Sequence, residues 1–348
     1  MRKLLFFIVS AILLLAGCNR KEPAESVYVG PPVFEEEREG DFVFPSKRDI
    51  AAQRVFALFP YKDYIVAFGA FYGHFIEVYD KQSGELVSRG VIQGRGPGEL
   101  VWAEQADLNP FTGVMTMYDD MTNTVMTFDI DDLIWSQAEY EKHPARRWTI
   151  GEYQLDPSHR LVNSLVSLIG MEPDKRLVVW RDSVPTAIYH RFPIKDSVTN
   201  INYQSYQQSR FSLSPDRTKA VSGTMINRSV LEMFEVSPDT IRCRYAAVFH
   251  GGLNPEMVRN EQLNMRNCFA SLYAGDDKML GVLDTSQPGE KRRYNALALF
   301  DWNGKGLMKI QTPYRDCAPA CLDYDGKTVY AVVRAENDFW YLGKMELE

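Results

Sequence analysis

The chain has 348 residues, of which 45% are hydrophobic and 24% charged, a balance typical of a folded protein. Lys and Arg number 39 against 46 Asp and Glu, so the formal net charge is −7. Phosphate backbones are bound by clustered Lys and Arg, so this acidic balance excludes nucleic acid as an expected partner.

Residues 1–17 have the layout of an export signal peptide. Arg2 and Lys3 precede an apolar run from Leu4 to Leu15, which is shorter than the roughly 20 residues that a membrane-spanning helix needs. No later stretch is as apolar as a spanning helix must be. We therefore expect an exported chain without a transmembrane helix.

Leu15-Ala16-Gly17-Cys18 resembles the lipobox of bacterial lipoproteins, in which the cysteine thiol takes a diacylglycerol and the new N-terminus is acylated. The resemblance implies cleavage before Cys18, lipidation at Cys18 and a membrane partner held through acyl chains. The alternative is an ordinary secretory peptide that is cleaved elsewhere and yields a soluble product.

The segment 18–40 is rich in charge and proline and predicts a flexible tether after the lipidated cysteine. Its second residue, Asn19, is not the aspartate that resembles an inner-membrane retention signal. We therefore expect a cell-envelope lipoprotein of the outer membrane, facing the periplasm or the exterior, with its folded domain in residues 41–348.

The region 41–348 is dominated by short apolar runs ended by turn residues, which predicts an all-β fold. In a repeated unit, an alternating strand ends in an aromatic residue, an acid or a turn follows, and a second strand begins soon after. Six such units, 41 to 66 residues apart, contain Tyr79, Phe128, Trp180, Phe234, Phe300 and Tyr341. They predict a six-bladed β-propeller of four-stranded antiparallel blades; the alternative is two β-sandwiches with a linker.

Two polar segments interrupt the repeat and predict short helical insertions. In the first, residues 254–263, Asn254 can cap a helix and Pro255 fits its first position. The second extends from Tyr203 to Arg210.

Two motifs support the propeller interpretation. The run 94–99, Gly-Arg-Gly-Pro-Gly-Glu, resembles the Gly-x-Gly-Pro-Gly-Glu signature of the TolB-like six-bladed propeller lipoproteins of Bacteroidota. Ser214-Pro215-Asp216 resembles the Ser-Pro-Asp turn of TolB-type blades. The resemblance extends over nearly the whole chain after Cys18 and implies fold and anchoring only. The third unit departs from the pattern, because Trp180 is followed by Arg181 rather than an acid.

The glycine-rich run is a candidate site, although it lacks the Lys-Ser or Lys-Thr ending of a phosphate-binding P-loop. We expect a structural loop in which Arg95 and Glu99 pair locally. Arg95, Glu99 and Arg210 are the candidate ligand-binding residues.

An acidic cluster and a cysteine pair complete the candidate residues. The cluster lacks calcium-loop spacing and predicts solvated turn carboxylates rather than a metal site; it comprises Asp119, Asp120, Asn123, Asp129, Asp131 and Asp132. Of the cysteines after Cys18, only Cys317 and Cys321 are close in sequence. Free buried thiols are the favoured interpretation for this pair; a disulfide is the alternative, and a metal site is less favoured.

No nucleophile motif such as Gly-x-Ser-x-Gly or His-Glu-x-x-His occurs, and no cofactor is expected. The sequence therefore predicts a membrane-anchored, non-catalytic binding module of the cell envelope with a protein, peptide or glycan ligand. The alternative is a propeller enzyme, a lactonase, an esterase or a glycan-active enzyme, with a metal at the central channel.

Overall fold

The structure is a computed structural model. It describes residues 27–50, 52–96, 98–119, 121–122, 124–135, 146–149, 160–161, 166–168, 177–181, 184–189, 209–224, 230–237, 239–249, 269–286, 290–291 and 293–347. The predicted signal peptide, Cys18 and the predicted helix at 254–263 lie outside the described residues. So does most of the predicted insertion at 203–210, whose last two residues instead begin a strand.

Five blades each contain four antiparallel strands that follow one another along the chain. Blade 1 contains β3 (Ala52–Tyr61), β4 (Tyr64–Phe71), β5 (His74–Asp80) and β6 (Leu86–Ile92). Blade 2 contains β7 (Ala103–Leu108), β8 (Val114–Asp119), β9 (Thr124–Asp129) and β10 (Arg146–Thr149), with the helix α1 (Ile130–Trp135) after β9. Blade 3 contains β11 (Arg160–Leu161), β12 (Val166–Leu168), β13 (Leu177–Arg181) and β14 (Val184–Tyr189).

The remaining strands follow the same antiparallel order. Blade 4 contains β15 (Ser209–Leu213), β16 (Lys219–Thr224), β17 (Val230–Ser237) and β18 (Thr240–Val248). Blade 5 contains β19 (Phe269–Ala274), β20 (Lys278–Asp284), β21 (Tyr294–Asp301) and β22 (Gly306–Gln311). A last group, called here the closing sheet, contains β23 (Ala320–Leu322), β24 (Thr328–Arg334) and β25 (Trp340–Glu346).

The sheets form a propeller ring, because the first strand of one sheet contacts the first strand of the next. These contacts run from β15 to β19, from β19 to β23, from β23 to β3 and from β3 to β7, so the closing sheet meets blade 1. At one end of the ring, called the hairpin end, the first strand of each blade turns into the second. At the other, called the crossover end, the chain passes from one blade to the next.

The predicted number of six four-stranded blades differs from the structure. Five blades have four strands of their own, whereas the closing sheet has three and is linked to blade 5 by bridges of Asp316 with Tyr294 and Arg334.

The repeated aromatic residue marks a β-bulge. Where the third and fourth strands pair, the register shifts immediately before Tyr79, Trp180, Phe234 and Phe300. A bulge strengthens the local twist and redirects the side chain, and the side chains of Tyr79, Phe234 and Phe300 are all buried. The aromatic repeat is therefore confirmed as a structural feature of the third strand in these blades.

The acid after the aromatic residue closes the following turn. Asp80 Oδ1 accepts hydrogen bonds from the amides of Gln82 and Ser83 at 3.1 and 2.7 Å. Asp301 Oδ1 likewise accepts from the amides of Asn303 and Lys305 at 2.9 and 2.8 Å. Such side-chain acceptance is why Asp favours turns.

The aromatic residue predicted for the sixth repeat is the wrong one. Phe339 is half exposed and precedes β25, and Tyr341 lies at the start of that strand rather than near its end. The pair that corresponds by position to Tyr79-Asp80 is Met345-Glu346, which ends β25. Because the equivalent residue is not aromatic, the pattern selected neighbouring aromatic residues instead.

The N-terminal segment 27–50, called here the belt, differs from the flexible tether predicted for residues 18–40. Its strand β1 (Val27–Val29) pairs in parallel with β18, and β2 (Phe34–Glu39) pairs in parallel with β22. Val43 then bridges to Lys344 in β25. Residues 27–40 are therefore attached along the outer edges of blades 4 and 5 rather than forming a free linker.

The core lies between adjacent blades. All residues of β4 from Ile65 to Phe71 are buried, because both faces of the strand are covered. Ile65 and Ala67 belong to a cluster shared with blade 5 and the closing sheet, whereas Val66 and Phe68 belong to one shared with blade 2. A continuous apolar run is thus the expected pattern for a blade packed on two sides.

Candidate functional site

In the described part of the hairpin end, side chains from several sheets meet across the central channel. Tyr324, after β23, donates its hydroxyl hydrogen bond to the carbonyl of Pro60 in blade 1. Tyr273 of blade 5 and Pro215 of blade 4 line the same small cavity of about 30 Å³. This volume is close to that of a single water molecule, so the cavity between these described residues has no room for a larger ligand.

An ion pair of Asp107 with Arg217 joins blade 2 to blade 4 at this end. The Arg217 guanidinium donates to Asp107 Oδ2, and the two side chains are only 13% and 12% exposed. Arg217 has a positive φ of 63° and follows the predicted Ser-Pro-Asp turn. In that turn Asp216 Oδ1 accepts from the Ser214 hydroxyl at 2.6 Å and from the Thr218 amide at 3.0 Å. The turn therefore positions the arginine for its partner.

A second set of charges joins the closing sheet to blades 1 and 2. Lys81 donates to Asp323 Oδ1 at 2.6 Å and to the carbonyl of Lys62 at 2.7 Å. Lys62 in turn contacts Asp131 Oδ2 at 2.6 Å, and Tyr61 donates to the same carboxylate at 3.0 Å. Burial, and the neighbouring carboxylate of Asp131, raise the pKa of Tyr61. These groups act as structural links between sheets.

A small acidic cavity of about 80 Å³ lies beside this closed end. Burial, followed by the charges of Asp216 and Asp277, raises the pKa of Asp276 above its ordinary value. Lys219 donates to the Asp276 carbonyl at 3.0 Å and lies over the Trp302 ring at 5.3 Å. Within the described part of the chain, no group of three side chains is arranged to hold a metal ion.

The glycine-rich loop lies at the crossover end, between β6 and β7. Glu99 Oε2 accepts from the Gly96 amide at 2.7 Å, and the Glu99 amide donates to the Gly96 carbonyl at 3.1 Å. A Cβ atom on Gly94 would lie 2.0 Å from Glu99 Oε2, so glycine is needed there for the carboxylate to fold back. The expected local pairing of Glu99 with Arg95 is therefore wrong, because Glu99 bonds to the loop backbone.

Arg147 fixes the same loop from β10. Its guanidinium donates to the carbonyl oxygens of Gly96 and Glu99 at 3.2 and 2.7 Å. Arg95 is exposed on the loop that these bonds hold in place. Arg210 lies in β15 and pairs with Gly223, although its side chain is outside the described set. The structure thus does not show the three candidate ligand-binding residues meeting at one site.

The candidate cysteine pair lies at the start of the closing sheet. Cys317 and Cys321 are free and buried, as the favoured interpretation has it, and no disulfide joins them in the structure. Cys317 Sγ donates to the Tyr294 carbonyl at 3.0 Å, whereas Cys321 lies in β23 opposite Tyr330. Burial raises the pKa of the Cys317 thiol to about 12 and raises that of Cys321 further.

The predicted solvated carboxylates include one that is fully buried. Asp119 is 0% exposed, and its oxygens accept from the amides of Val101, Met121 and Thr122 at 2.7, 2.9 and 3.1 Å. Asp129 Oδ1 accepts from the amide of Asp131 at the start of α1, at 2.9 Å. Asp120 and Asn123 lie outside the described residues.

Sequence reasoning missed a buried polar cluster around Glu77 in β5. Glu77 is 4% exposed and contacts His74 Nε2 at 3.1 Å and Arg89 Nε at 2.9 Å. Tyr79 donates its hydroxyl hydrogen bond to the other carboxylate oxygen. Burial opposes ionisation of Glu77, but the bonds with His74 and Tyr79 and the charge of Arg89 hold its pKa below its ordinary value. The available signal was an acid within an apolar strand, between a histidine and a tyrosine.

No protein-family model matches this sequence, and the search of curated proteins likewise found no match. Solved structures do resemble it. A protein of Bacteroides fragilis described as exported has a TM-score of 0.53 at 9% identity, with 93% of this chain and 100% of that one covered. A DUF4221 family member from Bacteroides vulgatus has a TM-score of 0.53 at 10% identity, with 89% and 98% covered.

A third similar structure, U3-55K, has a TM-score of 0.50 at 10% identity and is covered over 98% of its length, against 88% of this chain. At these identities the likeness concerns the fold. The class that the fold defines is an all-β propeller with four-stranded antiparallel blades. In the described residues, no helix is long and apolar enough to cross a membrane.

Proposed function

We propose that the protein is a non-catalytic, membrane-anchored binding module of the cell envelope, with its ligand at the crossover end. The main observation in support of this binding end is the contrast between the two ends of the ring. In the described part of the hairpin end, Tyr324, Tyr273 and the pair of Asp107 with Arg217 fill the channel. The crossover end instead presents exposed Arg95 on a loop whose backbone is fixed.

A non-catalytic role is supported by the state of the reactive groups. Burial raises the pKa of the Cys317 thiol to about 12, which disfavours the nucleophilic thiolate. The Glu77 carboxylate is occupied by Tyr79 and Arg89, and the Asp107 carboxylate by Arg217. Among the described residues, no comparable observation favours the enzyme alternative with a metal at the channel.

We further infer that the belt completes a sixth blade, as in the TolB-like lipoproteins that the sequence resembles. Val43 and Lys344 exchange two backbone hydrogen bonds of 2.8 Å each, and the Ile50 amide donates to the Trp340 carbonyl at 2.7 Å. The segment therefore occupies the position of a fourth strand beside β25. Such a closure joins the start of the folded chain to its end.

The anchoring part of the proposal places lipidated Cys18 in the outer membrane and the ring outside the cytoplasm. It rests on the lipobox resemblance and on the fold neighbour from Bacteroides fragilis that is described as exported. The ligand class is a protein, peptide or glycan of the envelope.

The test is site-specific photo-crosslinking in native cells with the full-length protein. A photoreactive residue replaces Arg95 at the crossover end or, as the control, Phe111 in the β7–β8 hairpin, which is 73% exposed at the hairpin end. We expect a defined crosslinked envelope component from position 95 and none from position 111. Equal capture, or capture from position 111 alone, would contradict the proposed binding end, and turnover of esters or glycosides by the purified protein would contradict the non-catalytic role.

A further inference from the structure

The place where the described chain begins restricts how an anchored ring can meet a membrane. This inference rests on the proposed lipidation of Cys18. The first described strand, β1, is paired with the outer strand of blade 4, with Val27 opposite Ala246. Only residues 19–26 separate Cys18 from Val27, and the Cα atoms of those two residues can be at most about 30 Å apart.

The surface beside this attachment point has the composition of a lipid interface. Tyr28 and Val29 are apolar residues of β1 that are 42% and 47% exposed. Arg242 is exposed on β18, the strand that β1 joins. We call these three residues the blade 4 flank. Tyrosine is favoured at the level of lipid headgroups, and arginine is attracted to anionic lipids there.

We propose that the blade 4 flank lies against the membrane that holds Cys18, so that the ring attaches side-on. Blade 1 is three sheets away from blade 4 in either direction round the ring. Strands are spaced by about 4.8 Å, so two four-stranded blades and the channel between them place β6 roughly 40 Å from β1. The edge of blade 1 therefore faces away from the lipid, and both ends of the ring stay open to solvent.

The test compares two valines of similar exposure on opposite outer edges. Val29 in β1 is 47% exposed and Val87 in β6 is 44% exposed. A fluorescent amino acid is incorporated at one position or the other in the full-length lipidated protein. The protein is then reconstituted into vesicles of phosphatidylethanolamine and phosphatidylglycerol that contain lipids with spin-labelled headgroups, which quench only nearby fluorophores.

We expect loss of most of the fluorescence at position 29 and little loss at position 87. A variant with a long glycine-serine insertion after Lys21 should lose this difference, because the longer tether no longer holds one flank near the lipid. Equal quenching at both positions, in protein that floats with the vesicles, would contradict the side-on orientation but not the lipid anchor. Protein that fails to float with vesicles would overturn the anchor and, with it, the flank.

Discussion

Asp119 shows what a single buried carboxylate contributes at the residue scale. It has no exposed surface, and its two oxygens accept hydrogen bonds from three backbone amides, one before β7 and two after β8. Sequence reasoning assigned it to solvent because Asp is common in exposed turns. The same preference for amide donors lets Asp replace water as the acceptor when a turn is covered.

Substitution of Asp119 by alanine should lower the free energy of unfolding by about 3 kcal/mol, because buried amides lose their acceptor. The free energy of unfolding of Asp119→Asn should lie between those of wild type and Asp119→Ala, since one oxygen still accepts a hydrogen bond while the amide nitrogen cannot. Urea denaturation measures both. Glu235→Ala removes an exposed carboxylate paired with Arg244 and serves as the control, with a loss below about 1 kcal/mol. An Asp119→Ala loss no larger than the control's would contradict the structural role.

The Glu77 cluster predicts a pH dependence of stability. The folded protein holds the pKa of Glu77 below its ordinary 4.5, because the bonds with His74 and Tyr79 and the charge of Arg89 outweigh burial. The carboxylate therefore stabilises the fold fully above pH 4.5, and this contribution is lost as the pH falls through the lowered pKa. Denaturation across that range should show wild type and Glu77→Gln converging in acid. A difference that stays constant with pH would argue against an ionised Glu77.

At the scale of elements, the sequence identified features that have a side-chain pattern. In blades 1 and 5 the aromatic residue and the acid after it correspond to a bulge and a capped turn, so Tyr79-Asp80 and Phe300-Asp301 were recognisable. The belt was not, because β2 (Phe34–Glu39) is held mainly by backbone bonds and its exposed glutamates resemble a linker. Backbone pairing with a strand some 270 residues later has no side-chain signature.

Gly306 offers a way to loosen one element of the belt. It pairs with Phe34, and a Cβ atom there would lie 2.2 Å from the Val33 carbonyl oxygen. Gly306→Ala should therefore displace β2 and accelerate amide hydrogen exchange in Phe34–Glu39. The control, Lys309→Ala, removes only the 3.0 Å surface ion pair with Glu37 and should leave that exchange nearly unchanged. Equal acceleration in β21 would instead show that blade 5 itself had unfolded.

At the scale of the whole molecule, the contacts that close the hairpin end join residues distant in sequence. Arg217 and Asp107 are 110 positions apart, and Lys81 and Asp323 are 242 apart. Each residue taken alone resembles an ordinary charged turn residue, so no local pattern identified the pairs. The ring brings them together, and the closed end of the candidate site could be found only from the structure.

The pair of Asp107 with Arg217 should therefore stabilise the ring as a unit, since it ties blade 2 to blade 4. Arg217→Ala leaves a largely buried carboxylate without its partner and should lower the free energy of unfolding by about 3 kcal/mol. Asp107→Ala leaves the arginine unpaired, with a similar expected loss. Because the double variant removes both charges, it should lose clearly less than the sum of the two single losses.

Guanidinium denaturation of the four proteins in this double-mutant cycle measures the coupling between the two side chains. The transition should remain a single one in each variant if the ring unfolds cooperatively. Strictly additive losses would mean that the two charges do not stabilise one another. A separate early transition in Arg217→Ala would show instead that the pair holds together parts of the ring that otherwise unfold independently.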